Sequence, residues 1–415
     1  MMHIPLQNPP SCLTPPLRVV IFVTKFDTTG KKPYLTDELC EALQNLGHKV
    51  DVIFLDWYRE SCGEGIFSKN GLTVHLIRPV GSRDGFVQKI IQWVFSSFRV
   101  AKYYKKNFNT NTHDLLISFS PSIIFAAALI GLKAKIKNKL LIQWDFFPFH
   151  QAQIGLIPFR WMVGFGALVE TILLNTFSYI ACMSPRNVVY LQNHYKLAST
   201  VKSGVLPIWA KIRPKPLVYN SDMRKRHGVP ENAVLAVFGG QIAAGRGIED
   251  IVELARISSE SSSSLRIIVI GAGPKLQWLM EESEKLGGYL IVLPPFARND
   301  YLELISSCDI GLVLTVPHVD IPSFPSKVLD YCCVGIPVVA AVENSTDFGE
   351  FIHNEGFGQY CEAGKPDELF EILSVLAANK QVMIQMGVNA RRCYESYFDV
   401  RNVAASISRI ALNAH

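Results

Sequence analysis

Along the first half of the chain, short runs of β-branched and aromatic residues alternate with longer segments of helical period. Residues 18–24 (RVVIFVT), 50–55 (VDVIFL), 74–77, 115–119 and 140–144 read as strands buried on both faces. Residues 35–46 carry apolar side chains at helical spacing and end on Gly47, the residue type that best takes the left-handed turn after a helix. Strand, helix, strand in this order predicts parallel crossovers. The second half repeats the rhythm, with strands expected at 233–238, 265–270, 290–293, 310–314 and 337–341. Helices are expected between them at 248–258, 275–286, 299–307 and 327–334. That alternation predicts a second doubly wound α/β unit.

A proline-rich stretch separates the two patterns, with Pro207 beside Trp209 and then Arg213-Pro214-Lys215-Pro216. The expected division is a loose tail at 1–17, a first domain at 18–205, a linker at 206–222, a second domain at 223–386 and a helical segment at 387–415. No strand pattern follows that last segment, and it is expected to return to the first domain. A length of 415 residues agrees with two domains, and 49% hydrophobic against 19% charged residues excludes a disordered chain or a coiled coil.

The first seventeen residues hold five prolines and lack the basic and apolar regions of a secretory signal. Residues 115–132 form an uncharged run of eighteen, which Ser120-Pro121-Ser122 interrupts, so a strand, a turn and a helix are expected there rather than a membrane span. Nine scattered cysteines show no CxxC spacing, which indicates neither a zinc site nor a disulfide framework and fits a reducing cytoplasm.

Three glycine-bearing segments carry candidate chemistry. Phe238-Gly239-Gly240-Gln241 through Arg246-Gly247 joins a strand to a helix; glycines there let backbone N–H groups approach a phosphate, and Arg246 adds a bidentate donor. Gly271-Ala272-Gly273-Pro274 follows the next strand, where ligands of open α/β sheets sit, but it lacks the third glycine of a dinucleotide fingerprint. In Pro325-Ser326-Lys327 through Gly335-Ile336-Pro337, Ser326 is expected to cap a helix and Lys327 to meet a pyrophosphate. Asp330, one turn on, is placed to accept hydrogen bonds from ribose hydroxyls.

In this order the three segments closely resemble the nucleotide-sugar domain of retaining GT-B glycosyltransferases, particularly the family-4 type acting on bacterial surface polysaccharides. The resemblance covers residues 230–360 well and the first half loosely. It implies two Rossmann-like domains facing a cleft, a nucleotide-diphosphate sugar as donor, a glycan acceptor expected to be polyprenyl-linked in this setting, and no cofactor or metal. No DxD pair occurs in the sequence, in agreement. By resemblance, Arg246 takes the place of the diphosphate-binding lysine and Gln241 that of an arginine, while Asp330 is the ribose-binding acid of a pair whose first member is replaced by Pro322. Two other readings stay open: a GT-B nucleotide-sugar epimerase, and a non-catalytic GT-B subunit.

In the first half, Asp145 and His150 follow the strand at 140–144. The resemblance places such residues near the reacting centre, where Asp145 would orient an acceptor hydroxyl and His150 would bond a sugar hydroxyl. Gly30, in Thr28-Thr29-Gly30-Lys31, is a weaker candidate for an acceptor loop.

The net charge of +5 is unevenly spread. Residues 78–139 hold eleven Lys and Arg against Asp84 and Asp114, a local excess of +9. Within them, 86–104 pairs an apolar stripe (Val87, Ile90, Ile91, Val94, Phe98) and Trp93 and Phe95 with a basic end at Arg99, Lys102, Lys105 and Lys106. Such a helix suits the interface of an anionic membrane on its cytoplasmic side; no nucleic-acid recognition module accompanies the charge. A second apolar segment, 154–174, contains Pro158, Arg160 and Glu170 and is not expected to span.

Overall fold

The computed structural model describes residues 15–413 apart from 31–32, 60, 62, 82–85, 109–111, 133–135, 137, 154, 156, 158 and 216–220. Most of the proline-rich tail, Lys31, Pro158, and Arg83, Asp84, Lys133, Lys135 and Lys137 of the basic stretch lie outside the described residues, as do the side chains of Val87, Ile90 and Ile91. Two compact units emerge: Met1–Lys211 with Asp399–His415, and Ile212–Phe398.

The first unit is built on β1 (Arg18–Val23), β2 (Lys49–Leu55), β3 (Gly65–Lys69), β4 (Leu72–Ile77), β5 (Leu115–Phe119), β6 (Asn138–Gln143), β7 (Tyr179–Cys182) and β8 (Lys202–Val205). Their order is β3-β4-β2-β1-β5-β6-β7-β8. All neighbours are parallel except the β3–β4 hairpin, whose turn Asn70-Gly71 has φ of 52° and 81° at its two residues. That Asn-Gly pair between two short apolar runs is a hairpin signal, and β3 is absent from the strands expected above. Helices α1 (Leu35–Asn45), α2 (Phe86–Asn107), α3 (Ala126–Gly131), α4 (Phe149–Gln153), α5 (Arg160–Leu174) and α6 (Pro185–His194) connect the strands. The central strands are buried along nearly their whole length, as continuous apolar runs in a parallel sheet require.

The second unit opens with α7 (Ser221–Arg226). Its parallel sheet contains β9 (Val234–Gln241), β10 (Leu265–Ala272), β11 (Leu290–Leu293), β12 (Ile310–Leu314), β13 (Val338–Val342) and β14 (Gly358–Glu362). The order β11-β10-β9-β12-β13-β14 reverses direction at the β9–β12 pair, the switch point of a doubly wound sheet. Helices α8 (Ile248–Glu260), α9 (Leu276–Lys285), α10 (Arg298–Ser306), α11 (Val328–Val334), α12 (Phe348–Asn354), α13 (Pro366–Ala377) and α14 (Lys380–Ser396) complete it.

The chain then re-enters the first unit as α15 (Val400–Leu412). Val403, Ile407 and Ala411 join that unit's core, and Ser408 Oγ lies 2.8 Å from His48 Nε2. Asp399 caps the helix, accepting from Arg401 N–H at 2.9 Å. Residues 206–211, expected to begin a linker, belong to the first unit: Leu206, Ile208 and Trp209 are buried and the Trp209 indole donates to Leu35 O at 2.7 Å. The helical segment expected from 387 is also divided, since α14 packs in the second unit. Residues 115–132 fold as β5, a 3-10 turn at Ser122–Phe125 and α3. Among the described residues no helix is long and apolar enough to cross a membrane.

In α5 the single acidic residue, Glu170, is fully buried, and Ser122 N–H donates to its Oε1 at 3.0 Å. Burial raises its carboxyl to about 7, from an ordinary 4.5, against the opposing effect of the Ser122 bond. Because the native state then holds the proton more tightly, this contribution to stability is complete at low pH and is lost as pH rises from about 4.5 towards 7. The difference in unfolding free energy between the wild type and Glu170→Gln should therefore shift by about 2–3 kcal/mol between pH 5 and pH 8, at about 1.36 kcal/mol per pH unit. Urea unfolding at both pH values measures it. Parallel pH profiles for the two proteins would exclude the buried-acid assignment.

Candidate active site

The glycine-bearing segments of the second unit meet at the C-terminal ends of β9 and β10, beside the start of α11. Their closeness is backbone against backbone. A Cβ on Gly271 would lie 1.8 Å from Gly240 O, and one on Gly273 would lie 2.1 Å from Ile242 O. Gly240 itself has φ of 142°, and Gly247, at the start of α8, has φ of 64° with Leu314 and Thr315 pressed against it. Side chains at these positions would push the strand ends apart, so glycine is required there by contact as well as by conformation. Lys275 forms an ion pair with Glu249, tying the first turns of α9 and α8 together.

Tyr331 of α11 fixes the switch point. Its buried hydroxyl accepts from Gly239 N–H at 3.1 Å and lies 3.1 Å from both Val237 O and Leu312 O. Its ring occupies the space above Gly311, where a Cβ would come within 2.3 Å of it. On the other side Tyr301 of α10 leaves no room for a Cβ on Gly239, whose ideal position is 1.9 Å from the Tyr301 hydroxyl.

Lys327 lies immediately before α11, with its Nζ 3.4 Å from the centre of the Phe238 ring and its Cε 3.9 Å from where a Cβ on Gly240 would stand. Burial of the amine, with the Arg246 cation nearby, pushes its pKa well below the ordinary lysine value. Arg246 and Gln241 are exposed on the same turn. Neither Arg246 nor Lys327 forms an ion pair among the described residues, whereas Asp330 does: Arg298 at the start of α10 bonds its Oδ1. Arg298 is not legible in the sequence, because it reaches Asp330 across 32 residues through tertiary packing. Ser326 differs from expectation. It is exposed, Lys327 occupies the N-cap in a helical conformation, and no side chain caps α11.

Close by, the buried Glu343 accepts from Ser323 N–H at 3.0 Å and Ser323 Oγ at 2.6 Å, holding the segment that leads from Pro322 to Lys327. It follows β13 directly and belongs to none of the three glycine-bearing motifs.

In the first unit, Asp145 and His150 are brought together, with Oδ1 and Nδ1 4.0 Å apart. Their loop is rigidly anchored: Ser120 Oγ accepts from the N–H groups of both Trp144 and Asp145 at 2.9 Å, and Gln143 Nε2 donates to Asp145 O at 2.5 Å. Gly30 sits in a turn wrapped around Asp27, whose Oδ1 accepts from Gly30 N–H and from both Thr29 groups.

Residues 220–392 match the family described as Glycosyl transferases group 1. The second unit is a group 1 glycosyltransferase domain. No curated protein sequence matches the chain. Among solved structures, sucrose-phosphate synthase from Thermosynechococcus elongatus superposes with a TM-score of 0.75 at 13% identity, over 96% of this chain and 98% of that one. WaaG, a glycosyltransferase involved in lipopolysaccharide biosynthesis, gives 0.65 at 16% identity, over 94% and 99%. HepE from Anabaena, in complex with UDP, gives 0.68 at 15% identity, over 96% and 100%. The chain as a whole has the GT-B fold, with two Rossmann-like domains, and carries its glycosyltransferase domain in the second unit.

Tyr331→Phe leaves the Gly239 N–H and two strand carbonyls without their buried partner, a loss of about 1–3 kcal/mol. Thermal unfolding of the variant should begin several degrees lower. An unchanged transition would remove the hydroxyl from its place at the switch point.

Proposed function

We propose that the protein is a retaining glycosyltransferase that takes a sugar from a nucleotide-diphosphate donor and adds it to a lipid-linked glycan during cell-surface polysaccharide synthesis. In this reading it acts at the cytoplasmic face of the membrane and requires no metal. The observation that carries the donor assignment is the pair of cations without acidic partners among the described residues, Lys327 and Arg246, beside the Gly239-Gly240 turn. A lysine whose charge is disfavoured in the free protein gains most from a diphosphate, because the anion restores the protonated form. HepE, of the same fold, is described with UDP and with UDP-glucose.

The residues divide by task. Lys327 and Arg246 would neutralise the leaving diphosphate, where negative charge accumulates as the glycosidic bond to the donor breaks. The close-packed glycines Gly239, Gly240, Gly271 and Gly273 bring backbone to that site with no side chain in the way, and the exposed Gln241 and Ser326 border it. Asp330, already oriented by Arg298, would receive the ribose hydroxyls. Asp145, with His150 alongside, would orient the acceptor hydroxyl for attack on the face the diphosphate leaves, as retention requires. Lipid linkage of the acceptor rests on the basic, apolar surface of the first unit, and WaaG is a relative in fold with a role in lipopolysaccharide biosynthesis.

Arg246→Ala should weaken UDP binding about 10- to 100-fold, the scale of hydrogen bonds to a charged group, and change uridine binding less than about twofold. Calorimetry with both ligands tests this, and equal losses would point to a disturbed turn instead. Product analysis with UDP-sugars and membrane-extracted glycolipid decides the reaction. Sugar transfer with the anomeric configuration kept supports the proposal; inversion, isomerisation of the donor sugar, or binding without turnover each overturns it.

A further inference from the structure

Helices α2 and α5 of the first unit each bury polar groups beside apolar ones (Val100 and Tyr104 in α2, Leu173 and Leu174 in α5) and turn other large apolar side chains outwards. In α2 the buried face contains Gln92, Ser96 and Ser97, with Ser96 Oγ accepting from Val80 N–H at 2.9 Å and Ser97 Oγ from Ala127 N–H at 2.6 Å. Its outer face carries Phe95 and Phe98. In α5 the one charged residue of the interior, Glu170, is buried, while Trp161, Phe165, Leu168 and Ile172 form an outward stripe at helical spacing. Trp161 is 71% and Phe165 65% exposed, values far from those of a packed helix face. Trp93, expected to anchor in a membrane interface, is instead packed against Trp57 and Phe147, with ring centres 6.4 and 6.2 Å away. The basic stretch is likewise only partly a surface: Lys139 is buried and donates to Leu129 O, and Arg99 pairs with Glu64.

Both helices pack on one segment from their inner sides. The inner side of α5 seats Gly166 against Pro148, where a Cβ would lie 3.0 Å from the ring, and Trp93 of α2 packs on Phe147. Pro148 and Phe147 lie between Asp145 and His150 in the chain. Charge selects the occupant of this surface. From α2 through α5, apart from Asp114 before β5 and Asp145 in the loop, the only acidic residue is the buried Glu170, whereas Arg160 at the start of α5 and Lys102, Lys105 and Lys106 towards the end of α2 are exposed. A second copy of the same face would bring like charges together; an anionic lipid leaflet offers an apolar interior behind a negative layer.

We propose that this face docks on an anionic bilayer, with Trp161, Phe165, Leu168 and Ile172 of α5 entering the headgroup boundary and the neighbouring cations resting on lipid phosphates. The proposal deepens the membrane reading above and rests on it; because the inner side of α5 packs on Pro148, docking of its outer stripe sets the Asp145 loop one helix away from the lipid that carries the acceptor. The α5 stripe predicts binding that resists salt, because insertion of apolar groups is not screened, unlike attraction to the basic residues.

The test is sedimentation of the full chain with phosphatidylglycerol-containing and pure phosphatidylcholine vesicles at low and high salt, for the wild type and for Trp161→Ser/Phe165→Ser. Both substitutions are at exposed positions, and circular dichroism together with unchanged UDP binding verifies folding. The expected result is wild-type binding to anionic vesicles that persists at high salt and falls at least tenfold in the variant, with a salt-sensitive remainder. Equal binding by both proteins would overturn the α5 surface while leaving a membrane role to the basic residues. No binding of the wild type to anionic vesicles at low salt would overturn the membrane reading itself. Lipid-free dimerisation that the variant abolishes would assign the stripe to a second copy of the chain and overturn the proposal.

Discussion

The donor end of the second unit depends on one buried hydroxyl. Where the sheet reverses direction, β9 and β12 are neighbours through only a short stretch of pairing, and their carbonyls at Val237 and Leu312 converge on Tyr331 Oη. The same oxygen receives the Gly239 N–H, so helix, both strands and the glycine turn share a single point. Everything proposed for the nucleotide follows from that junction. Gly311 admits the ring, Gly239 admits Tyr301 beside it, and Lys327 is carried to the turn by the helix that Tyr331 holds in place. An unsatisfied buried polar group costs far more than a satisfied one gains, which makes such a junction intolerant of change.

How far these features are legible in the sequence follows the range of the interactions that form them. Periodicity locates the long central strands, whose burial on both faces writes continuous apolar runs into the chain, and α8 to α11 of the second unit, but not α7, α12 or α13. It misses β7 and β8, each four residues long, and β14, whose pattern is mixed. The glycine positions are legible because backbone approach has no other solution. Arg298, Tyr301 and Glu343 are not, since α10 and the end of β13 bring them to the site through tertiary packing and nothing local marks them. Ser326 shows the reverse error: a residue of the right type before a helix is not a cap by type alone, and here Lys327 holds the N-cap position, already helical, while no side chain caps the helix.

Helix patterning misleads in a more instructive way. The apolar residues of 86–104 read as a stripe with a basic end, but the sequence does not say which face the fold turns inwards. The structure buries the serines and Gln92 and leaves Phe95 and Phe98 outside, because the N–H groups of Val80 in a loop and of Ala127 in the first turn of α3 find their acceptors there. The spacing of apolar residues records that a helix has two unlike faces; the groups packed around it decide which of them is covered.

The return of the chain as α15 makes the second unit an insertion within the first. The first unit's core includes Val403, Ile407 and Ala411, which leave the ribosome only after every residue of Ile212–Phe398 has been synthesised. Domains of a growing chain commonly mature from the amino end. Here the order is inverted: the glycosyltransferase domain has its whole sequence available first, and the unit that begins the chain waits for the final helix before its core can close.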